Sequence, residues 1–179
     1  VKLMKRKIVV QKEIIWGQIP CEDINVDLEK ISQNIISKLI GYDFEDRNYY
    51  RDIKLDFQKD NDKINKYFDN EFRKQKWPSL VPINSIANVH VFLEGTYKRN
   101  HIDPYNYSES PNMTALIIIK GSGELVIEHS DYKQENSFSQ FSFNQGDYFI
   151  FNSDLNYLTS KNTNREQYTQ LLINNYELI

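Results

Sequence analysis

Cysteine occurs once in this 179-residue chain, as Cys21. One thiol closes no intrachain disulfide, so nothing implies an oxidising compartment. Histidine is almost as scarce: His90, His101 and His129 are the full set. Long apolar runs are missing too. The early stretch Ile8-Val9-Val10 is interrupted at once by Gln11, Lys12 and Glu13, too short for the apolar region of a signal peptide. No stretch approaches the ~20 residues of a membrane-spanning helix. The expectation is a soluble, cytoplasmic chain with no membrane partner. An excess of one charge is also lacking. The net charge is −3 with both signs interspersed, so no basic stripe marks a nucleic-acid binder. There is no G-x-S-x-G elbow for a serine nucleophile. Gly121-Ser122-Gly123 is a turn rather than a phosphate loop, because no helix follows and the lysine–serine pair is absent.

What is present is a globular composition. Hydrophobic residues make up 40% and aromatics 13%, enough to build a core rather than a disordered chain. Twelve tyrosines and ten phenylalanines suit half-buried β surface. The length fits one domain, 1–179. Residues 7–16 read as a strand. Leu28, Ile31, Ile35, Ile36 and Leu39 then recur at helical spacing, with Asn25 or Asp27 to cap the start and Gly41 to end it. Ile53-Lys54-Leu55-Asp56-Phe57 alternates as a strand does. Asp60 or Asn61 opens a second helix with Ile64, Tyr67, Phe68 and Phe72 on one side, which Trp77-Pro78 ends. The helices are expected over 28–40 and 62–76.

From residue 86 the character changes. NVHVFLEG, the HID segment, TALIIIK, GELVIEH, SFSQFSF, DYFIFN, NYLTS and QYTQLLIN follow as short β runs, divided by turns such as Lys120-Gly121-Ser122-Gly123 and Asn144-Gln145-Gly146-Asp147. The pattern predicts a mainly β (α+β) fold. An N-terminal β/α segment, 1–85, precedes a jelly-roll core, 86–179, with the helices packed outside one sheet.

Within this frame, RNHIDPY sets His101 and Asp103 two residues apart. On an extended strand those side chains share a face, so an imidazole and a carboxylate converge as two metal ligands do. The bland alternative is a rim turn started by Asp103-Pro104, with His101 bonded to backbone. Tyr97, Tyr105 and Tyr107 surround the element and suit a pocket mouth or an exposed turn.

These features together resemble the iron(II)- and 2-oxoglutarate-dependent oxygenases: an HxD near the second barrel strand, helices before the barrel, and a GD-hydrophobic strand near its end. The likeness covers roughly residues 50–176 and is closest to the prolyl-hydroxylase-like branch, whose fold is a double-stranded β-helix. It implies iron(II) and 2-oxoglutarate as cofactors, His101 and Asp103 as metal ligands, and a dioxygenase (hydroxylase) reaction. The family's distal histidine falls where Tyr157 stands, and its basic residue for the 2-oxoglutarate carboxylate where Gln167 stands. Arg165, two residues early, is the nearest cation. Cupins share the barrel. Gly95 with His101 matches the opening of their first motif, and Gly146 with Asn152, Asp154 and Tyr157 keeps the spacing of their second but not its residues.

Iron(II) oxygenases hold the metal by two histidines and one carboxylate, leaving open positions for cosubstrate and oxygen. Tyrosine serves poorly as the third ligand, because its phenol must lose a proton of pKa about 10. The site expected from the family is therefore His101, Asp103 and Tyr157 at the metal, with Arg165 at the cosubstrate. Two functions follow as alternatives. One is an oxygenase or a degenerate relative acting on a small molecule or peptide. The other is a metal-free, cupin-like barrel that binds a small molecule or a protein partner, with a homodimer as the assembly to test.

Overall fold

The computed structural model describes residues 13–39, 49–55, 59–90, 97–98, 112–128, 138–160 and 168–179. In chain order the elements are β1 (Ile14–Gln18), α1 (Cys21–Ile24), α2 (Leu28–Ser37), β2 (Tyr49–Leu55), α3 (Lys59–Lys74), β3 (Leu80–His90), β4 (Tyr97–Lys98), β5 (Asn112–Lys120), β6 (Gly123–Glu128), β7 (Phe138–Phe143), β8 (Asp147–Asn152), β9 (Asn156–Thr159) and β10 (Thr169–Leu178). The strands form two antiparallel sheets. One has the order β1-β8-β5-β10-β3-β2, the other β4-β9-β6-β7. From β3 onward, strands alternate between the sheets except at the β6–β7 hairpin within the smaller one, the pattern of a double-stranded β-helix, and α2 and α3 cover the outer face of the larger sheet.

Period-two alternation explains which side chain goes where. On β5, Met113, Ala115, Ile117 and Ile119 join the helix-side core, while Leu116 and Ile118 join the core between the sheets. Both faces are dry, which is why Ala115-Leu116-Ile117-Ile118-Ile119 is apolar without a break. Asp27 caps α2, its carboxylate accepting from the N–H groups of Glu29 and Lys30 at 3.0 and 3.2 Å. Gly146 has φ +88°, a conformation that side chains resist. Its N–H donates to the Ile118 carbonyl, and its own carbonyl accepts from Ile19 N–H, each at 2.8 Å. That turn ties β8, β5 and the end of β1 together.

Three boundaries differ from the sequence reading. The first strand is described only from Ile14 and runs on to Gln18. β3 begins at Leu80 rather than near 86, running through Pro82 where β2, whose pairing stops at Ser85, no longer flanks it. α3 begins at Lys59, so Asn61 lies inside the helix and faces the sheet instead of capping. There it builds a buried polar network. Asn61 Nδ2 donates to Ser85 Oγ (2.9 Å), and Asn174 Nδ2 donates back to Asn61 Oδ1 (2.8 Å). Asn65 Oδ1 accepts from Asn174 Nδ2 (3.1 Å) and from the Tyr176 hydroxyl (2.5 Å). The network pins α3 over β10 and β3 in one register, since a shifted helix would leave these groups unsatisfied.

Burial pushes the Tyr176 phenol well above the usual tyrosine range, and burial acts likewise on Tyr148. The folded chain therefore keeps protons that the unfolded chain releases. Stability is full below the ordinary phenol pKa of about 10 and falls as pH rises above it. Tyr176→Phe is expected to cost about 1 kcal/mol at pH 7 through the lost hydrogen bond. It should also flatten the alkaline decline. Urea midpoints at pH 7, 9 and 11 measure both; an unchanged slope between pH 9 and 11 would show that Tyr176 does not drive the decline.

Candidate functional site at the barrel mouth

The topology sets β4, three residues before His101, beside β9, which carries Tyr157. β4 pairs antiparallel with β9, Lys98 opposite Tyr157. The chain leaves β4 three residues before His101, at the end of the barrel where β8 turns into β9. The strand that leads into the HxD and the strand that carries Tyr157 are thus neighbours. His101, Asp103, Arg165, Gln167 and His129 themselves lie outside the described residues, as does the His90 side chain. No group of three His, Cys, Asp or Glu side chains that could hold a metal occurs among the described residues.

Tyr157 is 1% exposed and points between the sheets. Its ring meets Phe151 with centroids 5.9 Å apart at 61°, in a core shared with Leu155, Leu125, Ile127 and Phe143. The aromatic body therefore does the work of a core side chain at the position that the family resemblance assigns to a metal ligand.

The last strand, β10, runs between β5 and β3. Inward positions alternate as Leu171, Ile173 and Asn175, with Thr169 at the start of the strand. None carries a charge. The strands around them contribute Leu116, Ile118, Phe149 and Phe151, all at most 2% exposed. A dicarboxylate placed among these described groups meets apolar walls and no cation, so its charge would go uncompensated there. Among the described residues only Tyr157 stands at a place that the family resemblance assigns to the metal, and Arg165, the cation it suggests for the cosubstrate, lies outside them.

What the inner face does carry, at the end where β4 leaves, is a chain of neutral polar groups that sequence reading did not single out. Thr114 Oγ1 lies 2.7 Å from Ser153 Oγ and donates to Asn175 Oδ1 at 2.8 Å. Asn175 Nδ2 donates to Asn84 Oδ1 at 2.7 Å. Thr114 is fully buried and Asn84 is exposed, so the chain runs from the core to the surface. A register shift between Asn175 and Tyr176 re-aims the strand there, as bulges near sites do. The available signal was parity: Asn175 and Thr114 are polar residues on the faces that carry Leu171 and Ile173 on β10 and Leu116 and Ile118 on β5.

Cysteine chemistry gains no support. Cys21 is half-buried beside the helix-side core, and burial pushes its thiol up, away from the reactive thiolate. Among the described residues no helix is long and apolar enough to cross a membrane.

No protein-family model matches the chain, and no curated protein matches it by sequence. Solved structures do match. AviO1 from Streptomyces viridochromogenes superposes with a TM-score of 0.60 at 10% identity, over 93% of this chain and 90% of that one. The viral collagen prolyl hydroxylase of Paramecium Bursaria Chlorella virus-1, in truncated form, gives 0.56 at 12% identity over 100% and 98%. HygX from Streptomyces hygroscopicus, with nickel and 2-oxoglutarate bound, gives 0.54 at 10% identity over 93% and 83%. The likeness in each case is one of fold. With its strand order and its helices on the larger sheet, this chain has the double-stranded β-helix fold of the 2-oxoglutarate-dependent oxygenases, that of their prolyl-hydroxylase-like branch included.

Proposed function

We propose that this chain is an oxygenase-like barrel with a degenerate centre, which binds a small molecule or peptide at its mouth without turning over 2-oxoglutarate. The observation that carries the reading is the burial of Tyr157 as a core side chain at the distal-ligand place. The uncharged inner face of β10 supports it. Two side chains, His101 and Asp103, are a weaker hold on iron(II) than the three-ligand face that oxygenases use. Without a guanidinium or ammonium opposite it, the outer carboxylate of 2-oxoglutarate loses one of the stronger polar contacts available. The neutral chain ending on Asn84 suits a ligand that offers hydrogen-bonding groups rather than charge.

The test is turnover by the full-length protein after anaerobic iron(II) loading. Succinate release coupled to oxygen uptake is expected to stay at the level of the His101→Ala variant. Activity well above that variant would restore the complete oxygenase reading, with Arg165 as the cosubstrate cation and His101, Asp103 and one further group at the metal.

A further inference from the structure

On the side of the barrel away from β4, the two sheets leave a groove. β1 is the edge of the six-stranded sheet and β7 the edge of the four-stranded one, and each pairs on one side only among the described residues. The space between them has a volume of about 570 Å³, within the range of small-molecule sites. Its side chains are of two kinds. Trp16 and Phe141 supply aromatic surface, and Gln18 and Asp147 supply polar groups. Among the described residues no lysine, arginine or histidine lines it.

Trp16 is 61% exposed yet firmly held. Its ring meets Phe141 at 5.1 Å, and Phe141 in turn meets the buried Phe149 at 5.2 Å. The neighbouring Gly17 lies so close to Tyr148 that a Cβ there would sit 2.7 Å from the phenol oxygen. β1 thus lies tight against β8, which fixes the backbone beneath the indole. The polar groups are fixed as well. Asp147 Oδ2 accepts from Asn144 N–H at 2.8 Å, which leaves Oδ1 for a ligand. Ser142 Oγ and Gln140 Nε2 both donate to Glu124, at 2.8 and 3.4 Å, on the outer face of the smaller sheet, opposite the face that carries Phe141, so they stay out of the groove.

This chemistry selects a class of ligand. Among the described residues, phosphates, sulfates and carboxylates find no cation and one carboxylate to repel them. A hydrocarbon would desolvate an amide and a carboxylate without replacing their hydrogen bonds. A pyranose ring fits both halves: its C–H face lies on the electron-rich indole, and its hydroxyls donate to Asp147 and accept from Gln18. We propose that the β1–β7 groove binds a neutral saccharide, with Trp16 as the stacking platform. This site is separate from the barrel mouth and does not depend on whether a metal binds there.

The chain has two tryptophans, so Trp77→Phe leaves Trp16 as the sole indole reporter. Its fluorescence is titrated with maltohexaose, cellohexaose, xylohexaose and chitohexaose, and affinities are checked by calorimetry. A saturable change with at least one of them is expected. Trp16→Ala should bind that sugar at least tenfold more weakly, and Gln18→Ala about threefold, with unchanged thermal melts. Should Trp16→Ala fail to fold, Gln18→Ala and Asp147→Asn carry the test together. No saturable response to any of the four sugars overturns the proposal, as does undiminished binding in Trp16→Ala. Tighter binding of a heparin hexasaccharide than of any neutral one would also overturn it. So would protection of β1 amides from exchange by an extended peptide without a sugar response, which would make the seam a site of strand addition.

Discussion

Tyr157→His is expected to raise iron(II) affinity at least tenfold. The substitution places an imidazole on β9 beside the strand that leads to His101 and Asp103, completing the two-histidine, one-carboxylate set. Outer-shell partners of metal ligands alone carry ~10–100-fold in affinity, and a ligand itself carries no less. Anaerobic iron(II) titration, or the visible spectrum of the cobalt(II) form, measures the gain. Addition of His101→Ala should abolish it. The cost falls on the core: the imidazole is smaller than the phenol it replaces and leaves space against Phe151 and Leu155, a loss of about 1–3 kcal/mol for such a change in packing. Thermal melts with and without metal therefore separate the two effects. A stable Tyr157→His protein with no gain in affinity would favour the reading in which the barrel never held a metal here.

Phe68→Ala is expected to remove about 3–5 kcal/mol, the usual cost of deleting a buried phenyl. Against the roughly 5–15 kcal/mol that holds a domain folded, this is a large part of the total. Phe68 is 1% exposed and sits at the centre of the helix–sheet contact. Its ring lies 4.8 Å from Tyr148 and 6.5 Å from Tyr176, so it bridges α3 to both β8 and β10. Urea unfolding followed by circular dichroism reads the change. Phe138→Ser serves as the control, because Phe138 is 58% exposed and exposed positions normally stay within about 0.5 kcal/mol. Equal losses in the two variants would mean that α3 does not clamp the sheet.

The β core and its helical cover were legible in the sequence because they rest on local periodicity. Helical spacing from Leu28 and from Ile64, alternation in DYFIFN, and the turns at Gly121 and Gly146 each act within a few residues. Asp27 was one of two named caps, and it caps. Asn61 was named as a helix opener for its type. It is buried instead, because its partners Ser85 and Asn174 lie 24 and 113 residues away and no local pattern announces them.

The same division runs through the site. The sequence by itself determined that a helix-covered β barrel is built and that histidine is scarce, and its resemblance to the oxygenases set Tyr157 and Gln167 at the positions expected for a histidine and a base. Those facts depend on residue identity and on spacing along single strands. Only the tertiary structure decided that Tyr157 is sealed in a dry core, that the inward side of β10 is uncharged, and that Thr114, Ser153, Asn175 and Asn84 join into one polar chain. It also decided that Trp16 and Phe141, 125 residues apart in sequence, meet across the open seam of the two sheets. Each of these depends on which strands become neighbours in a crossed-over topology, and that is set by the closing of the barrel rather than by any segment alone.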